Sequence, residues 1–232
     1  MNKTRKLILS FGLILGLGFI LILTVLFTTL SVRTAGSINA EHDYAAAYPI
    51  HRKETWLNLN ISFISASNAL SNASVYFGTV AHLHNVENQI KAIEGHMDEM
   101  ESYLEELRES LTTDPVLTAE QTEAELTIVD QVSTQLDGWK TQQADLILQA
   151  YLDENLIAAI RHINLRSYHG ERLLIELNEN SEAASKAAEH AQNEAVRFAN
   201  NSIRSLELHA IGIILAGVLL AILITVAVSV LA

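Results

Sequence analysis

Five basic side chains and a tyrosine crowd one short stretch of an otherwise acidic chain: Arg161, His162, Arg166, Tyr168, His169 and Arg172. On a helix, Arg161, Leu165, Tyr168 and Arg172 share one face, and His162, Arg166 and His169 share the adjacent one. A guanidinium group holds a carboxylate through two parallel hydrogen bonds, so the chemistry such a row offers is capture of a small organic anion. The complementary amides and hydroxyls lie far upstream, at Asn60, Ser67, Asn68 and Asn72. The expected ligand site is therefore Arg161, His162, Arg166, Tyr168, His169 and Arg172 facing Asn68 and Asn72. A plainer reading of the same cations is that they pair, solvated, with the acidic helices around them. Titration of carboxylates before and after Arg161→Ala plus Arg166→Ala separates the two.

Other clusters carry less. Asp98, Glu99, Glu101, Glu105, Glu106 and Glu109 fall where a wet helix face belongs. His82-x-His84, with His96 nearby, lacks a spaced third ligand, and no metal or other cofactor is expected. There is no cysteine, no phosphate-cradling glycine loop and no nucleophile elbow, so an enzyme is not expected either.

The elements that would position these residues are helices. Two prolines, few glycines and little β-branched alternation leave strands without support. Heptad-like steps of three and four run through Trp56, Leu59, Phe63, Ala66, Leu70, Ala73 and Phe77. They recur through Ile90, Ile93, Met97, Met100, Leu104, Leu107 and Leu111, and through Val129, Val132, Leu136, Trp139, Gln143, Leu146 and Ala150. A fourth seam, of smaller residues, includes Leu156, Ile160, Ile163, Gly170, Leu174, Leu177, Ala184, Ala188, Ala195 and Phe198. Breaks are read at Gly78 with the His82 to Asn85 stretch and at Thr112-Thr113-Asp114-Pro115. A third falls at Leu152-Asp153-Glu154, with Asp153 as cap of the fourth helix. Thr118 and Gln121 form a capping box for the third helix. The helices are expected over 32–77, 86–112, 118–152 and 154–208. At 1.5 Å per residue, helices of about 46, 27, 34 and 55 residues running alternately out and back end within about 2 Å of the starting level. The expected fold class is all-α: an antiparallel up-down-up-down four-helix bundle over residues 31–208.

Both ends of that bundle run into apolar stretches free of Asp, Glu, Lys and Arg, at 7–30 and 210–231. About 24 and 22 residues suffice to cross a bilayer. A basic tail over residues 1–6, with Lys3, Arg5 and Lys6, keeps the N-terminus in the cytoplasm by the positive-inside rule. Two crossings return the C-terminus there and put the bundle outside. All 27 acidic residues lie between the spans with 12 of the 15 basic ones, a charge balance that repels nucleic acid.

This layout resembles the sensory half of a methyl-accepting chemotaxis receptor of the four-helix-bundle type. The resemblance covers essentially the whole chain in architecture, and is most specific at Leu173-Leu174-Ile175-Glu176-Leu177-Asn178-Glu179-Asn180-Ser181-Glu182-Ala183-Ala184. It implies a homodimer in a bacterial inner membrane that binds a small molecule outside and shifts its last helix. A downstream kinase complex would respond through a cytoplasmic linker and signalling hairpin that come after the second span in that family. Aspartate-type members use arginines on the distal first helix. None occurs here between Lys53 and Lys91, so aspartate is not expected. The input region of a sensor histidine kinase and a non-sensing helical anchor are the alternatives.

Overall fold

The computed structural model describes the backbone of residues 3–76, 82–165 and 167–230, and the side chains of residues 12, 14, 16–72, 88–163 and 170–227. Every element within these ranges is helical: α1 (Lys3–Ala45), α2 (His51–Tyr76), α3 (His82–Thr113), α4 (Ala119–Trp139), α5 (Asp145–Leu152), α6 (Leu156–Leu165) and α7 (Ser167–Val230). Two π-helical turns, Ala46–Ile50 and Lys140–Ala144, join α1 to α2 and α4 to α5. The chain divides into two compact units, residues 45–191 and residues 1–44 with 192–232.

The larger unit is organised by one apolar core. The seams expected on α2 and α3 are there, except that the side chains of Ala73 and Phe77 lie outside the described residues: Leu59, Phe63 and Ala66 face inward from α2, and Ile93, Met100 and Leu107 from α3. α4 contributes Val129, Val132, Leu136 and Trp139, and α7 contributes Leu173 and Leu177. Each such side chain taken out of water stabilises the fold by roughly 1.5–3 kcal/mol before the entropy of ordering it is subtracted. The acidic face expected on α3 is largely solvated, with Glu106 half-buried.

Local chemistry sets where the helices stop. Thr118 and Gln121 make the expected reciprocal capping box at the start of α4. α3 begins at His82, earlier than the expected start at 86. The break after α5 falls where expected, but its cap is Asn155 rather than Asp153. The Asn155 side chain accepts from the Ala158 N–H at 3.1 Å, while Asp153 accepts from the Gln149 amide. Glu154 supplies the left-handed residue of the turn, with φ 54°.

The third and fourth seams hold at Val129, Val132, Leu136, Trp139, Gln143 and Ala150 and at Leu177, Ala188 and Ala195, and depart from expectation by one position at three places. A π turn holds one residue more than an α turn, so Lys140–Ala144 rotates everything after it. Ile147 therefore lies in the core at 1% exposure where Leu146 was expected. On α6, Ala159 is buried and Ile160 is 43% exposed, and on α7 Leu173 is buried more deeply than Leu174. Starting α6 from the Asn155 cap fixes that register. Phe198, expected on the same seam, is exposed.

Hydrogen bonds between helices add specificity. Asn60 Nδ2 donates to Asn178 Oδ1 at 2.7 Å and the Ser181 hydroxyl to the Trp56 carbonyl at 3.2 Å, joining α2 to α7. The Tyr151 hydroxyl donates to the Leu70 carbonyl at 2.7 Å in a buried setting. Arg52 holds the connection between α3 and α4 through a 2.7 Å ion pair with Asp114, whose side chain is wholly buried. The other Asp114 oxygen accepts the Val116 N–H.

The smaller unit consists of most of α1 and the end of α7. α1 and α7 each contain a stretch long and apolar enough to cross a membrane, and only 6% and 0% of the most apolar windows is buried. Neither apolar stretch is therefore buried as a core: Leu17, Leu21, Leu215 and Leu219 all turn outward. Small residues bring the two stretches together. A Cβ placed on Gly16 would meet Ile224 Cδ1 at 3.2 Å, and one on Gly12 would meet Ile224 Cγ2 at 3.7 Å, so a Gly-x-x-x-Gly face receives one isoleucine. Thr24, Thr28 and Thr29 return their hydroxyls to carbonyls one turn back, which leaves no unsatisfied hydroxyl on them for hydrocarbon.

Candidate functional site

The level of the larger unit where a ligand was expected contains a cavity of about 250 Å³. It opens among α2, the end of α4 with its π turn, α5, α6 and the start of α7. Phe63 and Trp139 form an aromatic wall, their ring centroids 5.0 Å apart and their planes at 70°, an edge-to-face pair. Ile147, Ile163 and Leu174 continue the apolar lining. Ser67, Asn68 and Ser71 of α2 and Glu171 of α7 supply polar groups, and the exposure of Asn68, Ser71 and Glu171 marks the side open to water.

One polar group is different in kind. Gln143, 8% exposed, lines the cavity from the π turn, and its Oε1 is buried without a hydrogen-bond partner among the described residues. Gln143 and its neighbour Ala144 are both buried in the π turn. Leaving such a carbonyl unpaired costs about 1–3 kcal/mol, so its position is more than packing requires. Gly170 makes the space: a Cβ there would stand 3.4 Å from Trp139 Nε1 and 3.6 Å from Gln143 Oε1.

The expected site residues divide. Asn68 lines the cavity, and Asn72 is exposed near the end of α2. Arg161 is exposed on α6 and His162 half-buried, and neither lines the cavity. Arg172 is exposed and lies 3.5 Å from Glu176 one turn on, the geometry of a solvated surface pair. Arg166 and the side chains of Tyr168 and His169 lie outside the described residues, as do the side chains of His82 and His84. His96 Nδ1 is 3.0 Å from Glu99 Oε2. Among the described residues no group of three side chains suits a metal ion.

Reading the sequence for charge misses the residues that line the cavity. Phe63, Trp139 and Gln143 stand in the seams as core, and the signal that could single out Gln143 is an amide at an inward position between Trp139 and Leu146.

Electrostatics around this level come from surface groups tying α3 to its neighbours. Glu99 accepts from Ser62 of α2 at 2.9 Å, and the bonds from His96 and then Ser62 hold its carboxyl below the usual carboxylate range. Lys140, at the π turn, donates to Glu101 at 3.1 Å, and that bond raises its ammonium above the ordinary lysine value.

None of the protein-family models, curated proteins or solved structures compared with this chain matches it.

Proposed function

We propose that the chain is the transmembrane sensory module of a chemoreceptor. In this reading residues 31–208 form an antiparallel up-down-up-down four-helix bundle outside the cytoplasm of a bacterial inner membrane. The bundle binds a small organic molecule, and the resulting helix displacement passes through the spans to a cytoplasmic kinase complex. The observation that carries the reading is α7 itself. The helix that lines the cavity at Gly170 and Leu174 runs unbroken to Val230, through the second apolar stretch. A ligand that shifts α7 thus acts on the same element that would cross the bilayer.

A homodimer belongs to this reading. Leu57, Ile61 and Ile64 of α2, at steps of four and three, are 46%, 52% and 39% exposed, an apolar row that a second copy would cover. An organic anion at the Arg161 and Arg172 level remains part of the proposal as a surface site. The test is a chimera joining residues 1–232 to the cytoplasmic half of a characterised chemoreceptor, assayed for kinase control against a panel of small organic compounds. Dose-dependent change in kinase output supports the module. A chimera that activates the kinase but answers no compound, while its bundle binds one, makes the chain an anchor rather than a sensor.

A further inference from the structure

We propose that the cavity behind Gly170 is a site for an uncharged, single-ring aromatic compound bearing one O–H or N–H donor, held by Gln143 Oε1. The inference rests on the sensory reading for its biological use, but its chemistry stands on the cavity alone. Size comes first. A cavity of about 150 Å³ lined by apolar side chains takes up benzene, so about 250 Å³ accommodates a ring with a substituent. The wall comes second: Trp139 and Phe63, already edge to face, offer a third ring the offset and edge contacts that aromatic groups prefer.

Polarity decides the class. Gln143 is more than nine-tenths buried, and the unpaired oxygen it contributes needs a donor. A phenol or an aniline carries that donor on a ring, whereas an aliphatic donor leaves the aromatic wall unused. Among the described residues the one charged group lining the cavity is Glu171, a carboxylate, and no arginine, lysine or histidine among them lines it. Against the described lining an aromatic acid would therefore lose its hydration without gaining a cation, which disfavours an anion. Of the basic stretch, Arg161, His162 and Arg172 do not line the cavity.

Gln143→Leu keeps the volume and removes the acceptor, and Ser67→Leu, at a half-buried position on α2, fills the space. The experiment titrates phenol into the full chain in lipid nanodiscs and follows Trp139 emission in a Trp56→Phe background, since these are the two tryptophans of the chain. Helicity of every variant is checked by circular dichroism. Expected is a saturable change in the parent, about tenfold weaker phenol binding in Gln143→Leu, and no saturable change in Ser67→Leu. Toluene, which lacks a donor, should bind the parent and Gln143→Leu alike, and benzoate should bind neither.

Should Gln143→Leu fail to fold, the Ser67→Leu result and the order phenol over toluene over benzoate in the parent still decide. No saturable phenol response, an equal loss of phenol and toluene in Gln143→Leu, or benzoate binding as tightly as phenol overturns the proposal. Phenol binding without kinase response in the chimera would leave the cavity's ligand class standing and remove the sensory reading. Kinase response to another compound, with no saturable phenol response at Trp139, would do the reverse.

Discussion

Arg52 and Asp114 show how much a single side chain can hold. The Asp114 side chain is wholly buried and the Arg52 side chain 15% exposed, at an N–O distance of 2.7 Å. Deleting one partner of a buried pair strands the other charge away from water. Arg52→Ala is accordingly expected to cost about 3 kcal/mol in chemical denaturation, and Arg52→Lys to recover only part of it. A surface pair such as Lys186 with Glu182, open to water on both sides, is expected to contribute far less. Glu99 predicts a pH effect with a definite sign. Its folded pKa lies below its unfolded one, so its contribution is present above the unfolded carboxylate pKa and lost as pH falls through the depressed folded value. Melting of the parent and Glu99→Gln across the acid range should show a small gap near neutrality that closes on acidification. A gap that widens on acidification would contradict the assignment.

At the scale of elements, the π turn at Lys140–Ala144 is the feature on which the core register turns. Deleting Thr141, an exposed residue inside it, converts five residues to an ordinary α turn and leaves the flanking helices in phase. Deleting Thr134, equally exposed but within α4, rotates Leu136 and Trp139 out of the core by about 100°. Thermal melting should find the first deletion tolerated to within a few degrees and the second severely destabilised; similar losses would mean that the π turn does not set the register. The same turn explains the limits of reading this fold from sequence. On α2 and α3 a regular three-and-four spacing marks Leu59, Phe63, Ile93 and Met100 directly, because nothing interrupts the helix. A π turn has no compositional sign, so spacing alone favours Leu146 over Ile147. At the α5–α6 break, Asp153 and Asn155 are both good caps two residues apart, and only the left-handed Glu154 between them selects Asn155. The cavity is less legible still. Charge draws attention to Arg161 and Arg172, whereas a void arises from what several separate helices fail to fill, and Ser67, Asn68, Gln143 and Gly170 give only a hint of it.

On the scale of the whole molecule, function depends on where the helical core lies relative to a membrane. Two outward-turned apolar stretches, a Gly12 and Gly16 face receiving Ile224, and threonines that satisfy their own hydroxyls are what bilayer-crossing helices need. Sensing requires in addition that the unit holding the cavity face outward. The chain has no cysteine, so single-cysteine variants report position without background. Labelling of intact spheroplasts with a membrane-impermeant maleimide therefore tests the outward placement directly, using Asp137→Cys on α4, Thr4→Cys before the first apolar stretch and Ala232→Cys after the second. Labelling of Asp137→Cys is expected in intact spheroplasts, and of Thr4→Cys and Ala232→Cys only after permeabilisation. Protection of Asp137→Cys until the membrane is broken, or labelling of all three from outside, would contradict a two-span sensory module.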